Sequence, residues 1–169
     1  MLDNILDSSI MPRIRYEPGH VSTTAACRWA GVSQTTYLGW ARDGTVPGRG
    51  TTGCDLADCL EITVLTVLAS YLTPDDARAA MKQVSSTIRN LTQVPTLLDA
   101  VWQDQLQKVT LIETTADLPA VVRHGRLVRV IPLAEALADT KASYDRAVRD
   151  QRDRGTIRRS RAQAREGTR

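Results

Sequence analysis

Residues 21–44 read VSTTAACRWAGVSQTTYLGWARDG, and this stretch decides the fold. Two helix starts and two helix stops fall within it. Ser22 is an N-cap residue, whose hydroxyl accepts from a backbone N–H left free in a first helical turn. A helix from Thr23 to Ala30 follows, and Gly31 supplies its left-handed stop. Ser33 caps again, so a second helix is expected from Gln34 to about Asp43, stopped by Gly44. Only Gly31, Val32 and Ser33 separate the two, which is the tight connection of a helix-turn-helix. Ala25, Ala26 and Trp29 on the first helix, Val32 in the turn, and Tyr37, Trp40 and Ala41 on the second can close a small core. Gln34, Thr35, Leu38 and Arg42 are left outside on the second helix.

The segment that follows, TVPGRGTTG (45–53), carries a competing signal. Its GRGTTG, Gly48 to Gly53, matches the G-x-G-x-x-G of a dinucleotide-binding loop. Such a cradle needs a strand before it and a helix whose N-terminus faces the phosphates. A helix and a Val-Pro turn precede this one, and no acidic partner sits on a second strand. The glycines are therefore expected to form the tip of a short wing, with Arg49, Thr51 and Thr52 facing outward.

A third helix is expected from Asp55 to Leu72, with Leu56, Leu60, Val64, Val67, Leu68 and Tyr71 at helical spacing. A fourth opens on Thr73 as cap, Pro74 at the first helical position and acidic Asp76, and reaches about Asn90. Asp75 and Asp76 fit first-turn residues favoured by the helix dipole better than a catalytic pair. Residues Pro95 to Gln107 are expected as a short helix. KVTLIE (108–113) and RLVRVIPL (126–133) are β-rich, and AVVRHGRLVRVI (120–131) predicts a hairpin turning at His124-Gly125. Leu133, Leu137, Thr140, Tyr144 and Val148 then mark an amphipathic helix from Leu133 to about Arg154. The expected fold is thus mainly α: a head at 20–92, and a small α+β part at 93–154 with a β-hairpin and a helix suited to dimerisation or a partner. An irregular arm at 1–19, broken by Pro12, Pro18 and Gly19, precedes them, and a disordered Arg-rich tail at 155–169 follows.

Composition narrows the function. Aromatic residues make up 4% of the 169 and Phe is absent, so Leu, Val, Ile and Ala must fill the core. Base-stacking platforms for single strands need clustered aromatics and are not expected. The longest apolar run, near Ile62–Leu72, is too short and too interrupted to span a membrane. The start MLDNILDSSI lacks the order of a secretory signal, so a cytoplasmic, nucleoid-associated protein is expected. Cys27, Cys54 and Cys59 form no C-x-x-C pair and are expected to be buried thiols. His20 and His124 are expected on the surface. No metal, cofactor or catalytic constellation stands out, and the chain is not expected to be an enzyme.

The net charge of +3 conceals an asymmetry. From Arg146 onward nine arginines face Asp150, Asp153 and Glu166, a balance of +6; the other residues hold 13 basic and 16 acidic groups, a balance of −3. Arg154, Arg158, Arg159, Arg161 and Arg165 form an electrostatic tail that would attract a phosphate polymer irrespective of sequence.

Residues 20–90 resemble the MerR-type winged helix-turn-helix family. The shared order is Gly31-Val32-Ser33, aromatic Trp40, the Gly44 stop, Val46-Pro47, a glycine-containing wing at Arg49–Gly53, Asp55-Leu56 opening a helix, and Thr73-Pro74 opening the next. Two positions depart from it: Leu38 and Gly39 stand where the family commonly carries Arg and Tyr or similar DNA contacts. Beyond residue 90 the chain lacks the long antiparallel dimer helix of classical members and more loosely resembles antitoxin-like relatives.

The resemblance implies a double-stranded DNA partner and a homodimer. Gln34 and Thr35, at the start of the recognition helix, would read base edges; Leu38 would make an apolar base contact; Arg42 would hold phosphate. Arg49, Thr51 and Thr52 would lie on the wing, and Arg28 would touch phosphate from the first helix. A bacterial or phage transcriptional regulator is the leading reading. An antitoxin-like protein gripping a protein partner through its C-terminal region, an excisionase-like architectural protein, and an enzyme using the glycine loop are the alternatives.

Overall fold

A computed structural model describes residues 17–49, 52–119 and 128–166, excepting the side chains of 157–166. The chain is mainly α: among the described residues, four helices are followed by a small three-stranded antiparallel sheet and a long final helix. Helix α1 is Thr23–Ala30 and α2 is Gln34–Arg42. Ser22 accepts from the Ala25 N–H at 3.1 Å and Ser33 from the Thr36 N–H at 3.0 Å, so both caps form where the sequence sets them. Gly31 ends α1 at φ +72°, the left-handed region that favours glycine. Of the residues expected to close the small core, Ala26 and Tyr37 are buried and Trp29, Val32, Trp40 and Ala41 pack against the same cluster, whereas Ala25 is half-buried and outside it.

Helix α3, Leu56–Tyr71, is the centre of the molecule, with buried residues on all sides from Asp58 to Leu65. It packs against α1, against α4 (Pro74–Arg89) and against the final helix. Asp55 and Asp58 form a reciprocal capping box at its start, and Thr73 and Pro74 open α4 as expected.

The sheet corrects the sequence reading. Residues expected as a helix from Pro95 to Gln107 instead form strand β1, Asp99–Gln103, and a 3-10 turn, Asp104–Leu106. Strand β1 lies between β2 (Lys108–Ile112) and β3 (Val128–Pro132), antiparallel to both. Ala100, Val101 and Trp102 are all buried, so the strand shows no alternation and its spacing mimics a helix. The hairpin placed at His124-Gly125 lies outside the described residues, as do most of the N-terminal arm and Thr51. Helix α4 covers the edge of β2: Gln83 accepts from the Val109 N–H at 3.1 Å and donates to the Gln107 carbonyl at 2.9 Å.

The final helix, α5, is Ala134–Glu166. It passes the expected end near Arg154 and carries helical backbone through most of the segment expected to be disordered. Leu137 and Thr140 are buried against α3, where the Thr63 and Thr140 hydroxyls share a hydrogen bond of 2.8 Å. One continuous cluster of buried residues runs from Val21 through α3 and α4 to Trp102 and Leu137. No helix among the described residues is long and apolar enough to cross a membrane.

Candidate nucleic-acid interface

On α2, Gln34, Leu38 and Arg42 recur every four residues, one turn apart, and so share a stripe; Thr35 stands beside it. On the adjoining face, Tyr37 is buried in the core. All four outward residues are exposed, as is Arg28 on α1. Leu38 is 58% exposed, the most exposed large apolar side chain among the described residues. Gln34 donates to the Thr24 hydroxyl, which joins the first turns of α1 and α2. A Cβ on Gly39 would meet nothing within 4 Å, so packing inside the chain does not require glycine there. The helix therefore offers a bare backbone position between Leu38 and Trp40.

The segment expected as a wing is organised differently. Among the described residues it contributes one isolated antiparallel bridge, Val21 with Cys54, and no strand pair of its own. Thr52 turns back on Arg49, its N–H donating to the Arg49 carbonyl at 2.9 Å and its hydroxyl at 2.6 Å. Tyr37 holds the loop from below: its hydroxyl donates to the Pro47 carbonyl at 2.9 Å and accepts from the Arg49 N–H at 3.3 Å. Tyr37→Phe leaves both backbone groups without that partner and is expected to cost about 1 kcal/mol of stability in denaturant melts.

The Arg49 side chain does not point freely outward. Its Nη2 lies 2.7 Å from Oδ1 of Asp58, which is 3% exposed. Arg89 Nη1 reaches the same oxygen at 3.0 Å and Glu61 Oε2 at 2.6 Å, and Ser85 donates to the other Glu61 oxygen. Burial opposes ionisation of Asp58. Hydrogen bonds from Arg49, Arg89 and the Asp55 N–H outweigh it and hold the carboxyl below its ordinary pKa. Sequence reasoning missed this network, whose directly bonded partners lie up to 31 residues apart. The signal available was that α3 is apolar nearly all round, so its two acids had no solvent face to occupy.

The described arginines divide cleanly. Arg49, Arg78, Arg89 and Arg129 are each ion-paired. Arg28, Arg42, Arg146, Arg149, Arg152 and Arg154 are exposed and have no carboxylate partner among the described residues. Arg42 ends the stripe on α2 and Arg28 lies in the last turn of α1; the other four lie on α5. Of the tail arginines, Arg158, Arg159, Arg161 and Arg165 are carried on helical backbone.

Cys27, Cys54 and Cys59 are buried and free. Burial pushes the Cys54 thiol up to about 11 and Cys59 higher still, so both stay protonated near neutrality. Among the described residues no group of three or more His, Cys, Asp or Glu could hold a metal ion. His20 is half-buried beside Glu17, and His124 lies outside the described residues. No family model and no curated protein matches the chain.

Proposed function

We propose that the chain is a sequence-specific double-stranded DNA-binding protein of the MerR-like winged helix-turn-helix kind. It would act as a dimeric bacterial or phage transcriptional regulator, by binding rather than by catalysis. The observation that carries this is the exposed stripe on α2 directly after a doubly capped three-residue turn. A helix presented this way enters the major groove with its N-terminal residues on base edges. Gln34 can pair with an adenine edge through two hydrogen bonds, and Thr35 can touch a thymine methyl. Arg42 and Arg28, free of ion pairs, take phosphates. The bare backbone at Gly39 lets α2 approach the duplex closely, in place of the longer donors of the family.

Selection of bound duplex fragments, read for half-site symmetry and spacing, gives the operator and tests the dimer. Against that operator, Gln34→Ala with Thr35→Ala is expected to reduce discrimination between correct and altered sites by about 10-fold or more. Arg42→Ala is expected to weaken all duplexes alike and to lower the salt slope by about one. Unchanged binding in both variants removes α2 from the interface.

A further inference from the structure

We propose that the basic end of α5, from Arg149 onward, is a second duplex-DNA contact: a fixed helical arm on the phosphates that flank the half-site read by α2. This rests on the DNA-binding reading above and adds a location and a partner to a charge that sequence alone treats as a loose tail.

Two observations carry it. The first is the division of the arginines. Arg49, Arg78, Arg89 and Arg129 are neutralised by carboxylates, whereas among the described residues the exposed arginines without such partners are Arg28 on α1, Arg42 on α2 and four on α5. From Arg149 onward the chain holds eight arginines against three acidic residues. An exposed excess of this size favours a polyanion.

The second is where the arm begins. Tyr144 on α5 donates to the Gly19 carbonyl, and Gln151 donates to the His20 carbonyl at 3.0 Å. His20 lies four residues before Thr24, at most about 14 Å of chain. Thr24 is the residue that Gln34 binds from the N-terminal turn of α2. A short series of hydrogen bonds thus ties the root of the arm to the N-terminal turns of α1 and α2, the α2 turn being the one proposed to read base edges. From Gln151 to Glu166 the helix extends about 22 Å. A duplex of that length presents about 13 phosphates.

A fixed arm and a diffuse cationic tail make different predictions. Four full-length proteins distinguish them: wild type, the Gln34→Ala/Thr35→Ala pair, the triple variant Arg149→Gln/Arg152→Gln/Arg154→Gln, and Gly155→Pro. A Cβ at Gly155 meets nothing, and the three arginines are exposed, so these changes leave the core intact; circular dichroism checks this. Gly155→Pro keeps every charge but interrupts the helix. The readouts are the salt dependence of duplex affinity, the hydroxyl-radical footprint on the selected operator, and the ratio of operator to scrambled duplex.

In the triple variant the salt slope falls by about three, so wild type loses about 40-fold more affinity than the variant between about 50 and 200 mM salt. Protection beyond the half-site disappears, and the operator-to-scrambled ratio stays the same. In Gly155→Pro that outer protection is lost or displaced although the charge is unchanged. The Gln34/Thr35 pair changes the ratio alone. An unchanged slope in the triple variant overturns the arm. So does a lowered slope with no discrete outer protection and no effect of Gly155→Pro, the mark of a diffuse tail. If no duplex is preferred over another, the reading of α2 fails by itself, and the slope on random duplex still decides whether α5 touches DNA.

Discussion

Replacing Trp102 by alanine is expected to melt the α1–α2 pair, α3 and the sheet together, in one transition displaced by about 4 kcal/mol. Trp102 is fully buried on β1, the central strand, and its indole N–H donates to Asp104 at 3.1 Å. Deleting a buried tryptophan side chain costs about 3–5 kcal/mol through lost burial and the cavity left behind. The indole also belongs to the same buried cluster as Tyr37 and Val46, far away in sequence. If residues 20–92 were an independent unit, the variant would lose its sheet while the helical signal of the head melted as before. A continuous core predicts instead coincident wild-type transitions by near-ultraviolet signal, to which Trp102 contributes, and by far-ultraviolet signal from the helices, with a single displaced helical transition in the variant. A biphasic melt of Trp102→Ala, with the helical phase at its wild-type midpoint, would place a boundary between head and sheet.

How much of this was legible in the sequence follows from which interactions are local. The α1–α2 turn was, because its determinants lie within three residues of each cap: Ser22, Gly31 and Ser33 act on the backbone next to them. The same holds for Thr73 and Pro74 at α4. Strand β1 was not. It is the central strand of the sheet, with Ala100, Val101 and Trp102 all buried, and the spacing of Leu98, Val101 and Trp102 imitates one face of a helix. The extension of α5 was hidden for another reason. From Arg149 to Thr156 every side chain is exposed, so no apolar period continues there, and a run of arginine resembles a solvated tail. At the candidate interface the exposed side chains Gln34, Thr35, Leu38 and Arg42 were legible from period alone. The orientation of Arg49 was not, since it depends on a carboxylate one helix away.

That carboxylate gives the other large effect. Asp58→Asn keeps the shape and an oxygen for the Asp55 N–H but removes the charge that two guanidinium groups share. Breaking a buried ion pair from one side costs about 3–5 kcal/mol. The side chains of Arg49 and Arg89 are 31% and 33% exposed, so water recovers part of what they lose. The expected cost is therefore near the lower figure, about 3 kcal/mol, or about 6–12 °C in melting temperature for a chain of this size. The pH dependence gives the sign independently. The folded pKa of Asp58 lies below its ordinary value of 3.8, so its contribution is complete above that value and is lost as pH falls through the lowered one. Wild type should therefore lose more stability than Asp58→Asn on acidification below about pH 4, and the two stability curves should converge. Parallel curves through that range would mean that Asp58 does not supply the charge on which Arg49 and Arg89 converge. The loop at 44–49 would then owe its position to Tyr37 and to its backbone hydrogen bonds onto α2.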